Sequence, residues 1–279
     1  MASLSVRLFG KNLRNPVMNA SGTLGYGKEI EPLWGIENLG IYVTKGLSLK
    51  PHHGNATPRV WEERRGLINS IGLQNIGVDR FFNEYFPLFK EKKTPIIVNF
   101  FGFTEEEYIA CAERIKPDKF IVALEMNLSC PNVKQGGISF GKDPVMVHRI
   151  VKKVKAVTQI PLIAKLTPEV KNLHEIAQAA YEAGIDGFTL LNTMPSLVVD
   201  IQRRCVPIKG GLSGPILRPV ALKAVYEISS SLPIPILGSG GIMNYSDALS
   251  FIMAGACAVQ VGTATFIDPY TIPKIVQGL

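Results

Sequence analysis

Cysteine is scarce in this chain, and the thiols it has are not paired in sequence. Cys111, Cys130, Cys205 and Cys257 form no C-x-x-C spacing. That argues against a zinc site, an iron–sulfur cluster held by this chain alone, or a disulfide scaffold, so metal ligands: none are expected. Free thiols without a leader segment point to a reducing cytoplasm. Charge is also sparse. Charged residues make up 19% of the 279 against 46% apolar, a balance that supports a full core and argues against disorder. There is no Pro/Gly/Ser-rich linker, no repeat at the spacing of solenoid units, and no P-loop, so a nucleoside triphosphate is not expected.

Lysine and arginine outnumber aspartate and glutamate by 30 to 23. The densest basic patches, Lys92-Lys93, Lys152-Lys153 and Arg203-Arg204, carry no interleaved aromatics, which speaks against a nucleic-acid platform. A positive field suits an anionic small substrate or an acidic partner. Residues 248–267 hold no charge and are long enough to span a bilayer. Ala254-Gly255-Ala256 splits the run, and Gln260 and Gly262 interrupt it, so a short helix, a turn and a buried strand explain it and no membrane span is expected.

What is present is an alternation. Residues 4–17 alternate around Gly10-Lys11 and read as a small hairpin. Core-strand patterns follow at 17–22, 41–46, 95–102, 120–129, 161–167, 186–193, 234–241 and 258–265. Helical patterns lie between them at 104–115, 143–157, 172–183, 219–229 and 246–253. Thr104 with Glu107 reads as a capped helix start, and Asp143-Pro144 as another. Strands alternating with helices imply parallel pairing. Eight units in this length fit an α/β fold, a single (β/α)8 TIM barrel over 1–279, with the N-terminal β-hairpin and inserted loops over the carboxyl face. A doubly wound open sheet is the alternative.

In a barrel, functional groups belong at the carboxyl ends of the strands. Those ends carry Ser21, Lys45, Asn99, Asn127, Lys165, Asn192-Thr193, Gly240-Gly241 and Gly262-Thr263. Small, amide, hydroxyl and amine endings together suggest one site. The glycines after the seventh and eighth strands can let backbone N–H groups approach a phosphate, or can simply make tight turns. An apolar run at 120–124 leads into Glu125-Met126-Asn127-Leu128-Ser129-Cys130-Pro131-Asn132, where a thiol and amides meet a strand end. His52-His53 lacks ligand spacing and reads as surface. His148 and His174 fall on helices, Cys111 and Cys257 read as packing, Cys205 as exposed loop, and Trp34, Met243 and Met253 as core or interface.

Asn127-Leu128-Ser129-Cys130-Pro131-Asn132-Val133-Lys134-Gln135-Gly136-Gly137 resembles the catalytic segment of the class 1B dihydroorotate dehydrogenases. Asn19-Ala20-Ser21-Gly22, Thr57-Pro58-Arg59, Asn69-Ser70-Ile71-Gly72-Leu73-Gln74-Asn75, Ala164-Lys165-Leu166-Thr167-Pro168, Gly210-Gly211-Leu212-Ser213-Gly214-Pro215 and the glycines from Gly238 to Gly241 resemble that family in its order, over nearly the whole chain. The resemblance implies a flavoprotein that oxidises (S)-dihydroorotate to orotate in pyrimidine synthesis. FMN would be held by Ser21, Lys45, Gly46, Asn99, Asn127, Lys165, Leu191, Gly214, Gly240, Gly241, Gly262 and Thr263. Substrate would meet Lys45, Asn69, Ser70, Ile71, Gly72, Leu73, Asn127, Asn132, Asn192 and Thr193, with Cys130 as the base. It further implies a homodimer joined by a second subunit that carries FAD and an iron–sulfur cluster (2Fe–2S) and passes electrons to NAD.

Elementary chemistry runs alongside. Dihydroorotate must lose a proton from one carbon and a hydride from its neighbour, and a flavin takes the hydride. A free thiol titrates near pH 8.5, so Cys130 needs nearby cations or raised pH to act as base. Lys165 lies in an apolar strand and is costly to bury unpaired; beside a flavin it would stabilise the anionic reduced ring. The sequence departs from the family in a brief final helix and a shortened segment at 194–209, expected as a loop over the substrate. A class 1A-type fumarate-reducing homodimer, a dihydropyrimidine oxidoreductase and, outside enzymes, a barrel that binds a phosphorylated ligand remain alternatives.

Overall fold

The computed structural model describes residues 3–128, 134–135 and 138–279. Eight short parallel strands form one sheet: β1 Val17–Asn19, β2 Tyr42–Val43, β3 Ile96–Phe100, β4 Ile121–Asn127, β5 Leu162–Lys165, β6 Gly187–Leu190, β7 Ile236–Ser239 and β8 Ala258–Val261. The hydrogen-bonded order runs β1-β8-β7-β6-β5-β4-β3-β2. A parallel bridge from Met18 to Ile41 brings the two edges together, so the sheet nearly closes on itself. This seam depends on one side chain. Asn19 Oδ1 accepts from Val43 N at 2.9 Å and Asn19 Nδ2 donates to Val43 O at 2.7 Å, doing for β2 what a neighbouring backbone does elsewhere. The closed order bears out the barrel over the open sheet.

The strands are buried on both faces, as parallel strands between helices must be. Alternation decides which face each residue serves. Tyr42, Val98, Leu124, Leu162, Phe188 and Val259 belong to the large cluster packed under the helices. Ile97, Ala123, Ile163, Leu237 and Ala258 form a separate interior cluster with Met18, Ile41 and Val43. The hairpin Val6–Leu8 with Lys11–Leu13 plugs this layer at its amino-terminal end through Leu8 and Leu13. Its tight turn puts Phe9 and Gly10 at φ of 47° and 77°, the conformation that suits the twist of a two-residue hairpin.

The expected helices form as α1 Glu105–Arg114, α2 Pro144–Val157, α3 Leu173–Glu182, α4 Arg218–Ser231 and α5 Tyr245–Met253. Thr104, Asp143, Asn172 and Asn244 cap four of them with side-chain oxygens, each cap worth about 1 kcal/mol. Buried Glu105 joins α1 to α2 by pairing with Arg149 at 2.7 Å and with Lys153. Among the described residues, no helix is long and apolar enough to cross a membrane.

Two features depart from the sequence reading. Residues 78–91 are helical, in three consecutive segments that bury Phe81, Phe86 and Phe89. The dense aromatics there pack inward, and no capping signal marks the start. The brief final helix agrees with the sequence reading: α6 Thr271–Gly278 packs Ile272 and Ile275 into the core. The segment expected as a loop at 194–209 is mostly strand: Met194–Asp200 pairs antiparallel with Cys205–Ser213. That hairpin joins Gly66–Asn69 and Val60–Glu63 in a four-stranded sheet with its own small core of Ile68, Val198 and Ile208. Met253, expected in a core or interface, is 86% exposed and so is not a core residue.

Candidate functional site

One step of two residues along the strands turns the apolar interior layer into a polar one. Ile97 leads to Asn99, Ala123 to Glu125, Ile163 to Lys165, Leu237 to Ser239 and Ala258 to Gln260, so all five side chains share the interior face. Each is buried, as is Thr189 on β6. Their register is fixed by the ladder, which sets Asn99 opposite Glu125, Lys165 opposite both Asn127 and Thr189, and Ser239 opposite Gln260.

The carboxylate of Glu125 sits at the centre. Its Oε1 accepts from Asn99 Nδ2 at 2.6 Å and from Lys165 Nζ at 3.5 Å. Its Oε2 accepts from Thr189 Oγ1 and Gln260 Nε2, each at 2.6 Å. Lys165 Nζ also donates to Gln260 Oε1 at 3.3 Å. An ammonium and a carboxylate buried this deeply are tolerable because donors and acceptors surround both. Asn99 Oδ1 is the exception. It is buried with no hydrogen-bond partner among the described residues, and an atom added at Gly46 would stand 2.8 Å from it.

Above this layer lies a partly exposed rim. Asn127 and Asn192 meet directly, Asn192 Nδ2 donating to Asn127 Oδ1 at 3.3 Å, and Thr193 N donates to Asn192 Oδ1 at 2.7 Å. Tyr108 on α1 steadies the end of β4 by donating to Asn127 O at 2.6 Å. Asn69 reaches the same region through the overlying sheet: its Nδ2 donates to Gly211 O at 3.3 Å, and Gly211 has no room for a side chain beside Thr193. Leu191 N donates to Ser239 O at 2.7 Å, which brings the ends of β6 and β7 together.

The glycine positions converge on another part of the rim. A Cβ at Gly241 would strike the backbone of Gly214 and Arg218, so the turn after β7 lies against the start of α4; its φ of 73° suits glycine as well. Thr263 Oγ1 and Ser213 Oγ lie 2.8 Å apart, joining the end of β8 to the overlying sheet. Gly262 faces Ala20, next to Ser21. Thus Gly214 meets both Gly241 and Thr263 at this part of the rim.

Lys45 lies half-buried, and burial first, then the nearby Arg59 charge, hold its ammonium pKa below the ordinary lysine value; Glu29 acts in the opposite sense. Arg59 itself is anchored by Nη1 to Gln74 Oε1 at 2.7 Å. Two cations at one wall give that side a preference for anions.

Not every expected residue joins the polar layer. Ser70 and Ile71 bond to Asn55, and Ser70 N donates to Arg59 O at 2.7 Å, so the 70–73 segment is held by the 55–59 loop. Gly72 and Leu73 lie beside it at positive φ. Cys130 and Asn132 lie outside the described residues. Cys205 is exposed at the start of its strand, whereas Cys111 is buried and its thiol is pushed up to about 12 by that burial. The sequence reading missed Glu125, Thr189 and Gln260. The signal was available: Glu125 is two residues before Asn127, and Gln260 two before Gly262, so each shares an interior face with a residue already singled out.

A family model described as Dihydroorotate dehydrogenase matches residues 3–279. Proteins named "Dihydroorotate dehydrogenase B (NAD(+)), catalytic subunit" are similar along almost the whole chain. The one from Trichlorobacter lovleyi is 47% identical over 280 residues, covering 99% of this chain and 92% of its own. That from Geotalea uraniireducens is 48% identical with the same coverage. That from Geobacter sulfurreducens is 48% identical over 275 residues, covering 98% of this chain and 90% of its own.

Proposed function

The chain belongs to the dihydroorotate dehydrogenase family, and from that premise we propose that it is the catalytic subunit of an NAD-linked enzyme that oxidises (S)-dihydroorotate to orotate in pyrimidine synthesis. The proposal takes residues 1–279 as one barrel domain, in a cytoplasmic setting. The similar proteins are named as NAD(+)-linked catalytic subunits, which supports a partner subunit; we propose that this partner carries FAD and an iron–sulfur cluster. A homodimer at the centre of a heterotetramer completes that picture.

The observation that carries the reading is the buried acceptor Asn99 Oδ1, without a partner among the described residues, two strands from an ammonium held inside the barrel. An oxidised flavin ring offers one N–H donor, two carbonyl and two ring-nitrogen acceptors and, once reduced, a negative charge. A buried amide oxygen, the Lys165 cation and the Asn127 amide match that inventory, and the rim glycines match a phosphate, so the residues present fit FMN. Asn99, Lys165 and Asn127 with Leu191 would hold the ring. Ser21, Lys45, Gly46, Gly214, Gly240, Gly241, Gly262 and Thr263 would hold the remainder. Bound there, FMN supplies the two-electron redox chemistry and takes the hydride.

The chain's own residues do the rest. Lys45 and Arg59 give the substrate carboxylate a cationic wall. Asn127 and Asn192, already joined to each other, would present amides to a ring of C=O and N–H groups, with Asn69, Thr193 and the 70–73 segment nearby; the resemblance adds Asn132 to this set. A site built from such amides rejects analogues that lack the matching groups. Cys130 would take the C5 proton as the C6 hydride leaves.

The test is a visible spectrum of the purified protein before and after anaerobic dihydroorotate. A yellow protein that bleaches, and regains colour with NAD only when the partner subunit is present, supports the proposal. Recolouring by fumarate without a partner would favour a class 1A-type enzyme. A colourless protein that refuses FMN would overturn the flavoenzyme reading in favour of a phosphate-ligand barrel.

A further inference from the structure

Glu125 is fully buried at the heart of the polar layer, yet nothing in the proposed chemistry uses it. We propose that Glu125 is a positioning residue that fixes the orientation of the Asn99 amide, leaving Asn99 Oδ1 as the acceptor for a ligand N–H, and that it offsets the Lys165 charge. The inference rests on the reading of the site as an FMN site.

A carboxylate only accepts hydrogen bonds, so a neighbouring amide must turn its NH2 toward it. Asn99 does so at 2.6 Å. Its carbonyl oxygen is then forced to the other side, where it is buried without a partner among the described residues. Gln260 is held by the same rule. Its Nε2 donates to Glu125 at 2.6 Å, which leaves Oε1 to accept from Lys165 at 3.3 Å. One carboxylate therefore sets the direction of two amides and supplies the counter-charge for a buried ammonium. A buried acceptor left without a donor is expensive, so this arrangement suits a ligand that brings one. The imide N–H of a flavin ring is a donor of that kind.

Glu125→Gln places an NH2 among four donors and removes the rule that orients Asn99. FMN affinity of the reconstituted protein, read by flavin fluorescence, should fall at least tenfold. Asn99→Ala should weaken FMN as well, and the double variant should be within twofold of Glu125→Gln alone, because both act through one hydrogen bond. Glu125→Gln should also raise the flavin midpoint potential, since it leaves the Lys165 charge without its counter-charge. Binding within twofold of the parent, losses that multiply in the double variant, or an unchanged potential would overturn the inference. If Glu125→Gln fails to fold, the parent protein still decides. With 15N-labelled FMN, the imide proton should exchange more slowly than in Asn99→Ala; exchange at the rate of free FMN would overturn the inference. A parent protein that never binds FMN would instead remove the functional reading, and this inference with it.

Discussion

Asn19 closes the barrel seam, and replacing it with leucine should open it. Val43 directs its N–H and C=O away from β3, whose ladder is satisfied by Tyr42 and Thr44. Both Val43 groups end on the Asn19 amide, at 2.9 and 2.7 Å, and Asn19 is fully buried. Asn19→Leu keeps the branched heavy-atom skeleton, with bulkier methyl groups, and leaves both backbone groups buried and unpaired. At about 1–3 kcal/mol for each unsatisfied group, the loss is about 2–6 kcal/mol. With about 2.1 cal/mol/K of unfolding entropy per residue over 279 residues, or about 0.6 kcal/mol/K, the melting temperature should fall by about 3–10 °C. Far-UV circular dichroism melts at fixed protein and FMN concentrations would measure this, because bound ligand shifts apparent stability. Asn19→Asp can still accept from Val43 N but sets a carboxylate against Val43 O, so it should be no better. A leucine variant that melts within 1 °C of the parent would refute the seam argument.

Lys165→Met should lower the flavin potential and weaken FMN; because it strands Glu125 as a buried charge, it should also cost about 3–5 kcal/mol in denaturant unfolding. Lys45 has a lowered folded-state pKa, so the folded protein disfavours its charge. An anionic ligand restores that charge, so orotate affinity followed by titration should weaken as pH rises through the lowered Lys45 pKa, and Lys45→Ala should flatten the dependence. In unliganded protein the sign is the reverse, with stability rising as pH climbs from the folded toward the unfolded Lys45 value. Thiol labelling at pH 8 with peptide mapping should find Cys205 modified and Cys111 untouched until the protein unfolds, since burial pushes the Cys111 thiol up to about 12. Cys130→Ser should keep its flavin and slow reduction by dihydroorotate, while the parent rate rises with pH through a thiol-like pKa; a flat profile from pH 6 to 9 would count against Cys130 as base.

Much of the architecture was written in local patterns. The eight strand positions, two of the four side-chain caps (Thr104 and Asp143) and the polar endings could be read because periodicity and capping depend on residues a few positions apart. The roles expected of the rim residues rest on their motifs, and the fold shows which of them lie together. Asn127 with Asn192, and Gly214 with Gly241 and Thr263, meet only after the sheet closes. The helix at 78–91 escaped notice because its buried phenylalanines and missing cap hide a helical period. The 194–213 hairpin escaped because its partners, Gly66–Asn69, are more than a hundred residues away.

By itself, the sequence determined that strands and helices alternate and that polar groups arrive at the strand ends, because each of those facts needs only neighbours along the chain. The tertiary structure alone decided that Asn99, Glu125, Lys165, Thr189 and Gln260, drawn from five different strands, share one set of hydrogen bonds. Which carboxylate faces which amine depends on ladder register and barrel closure, and those are set by contacts between distant segments that no local pattern encodes.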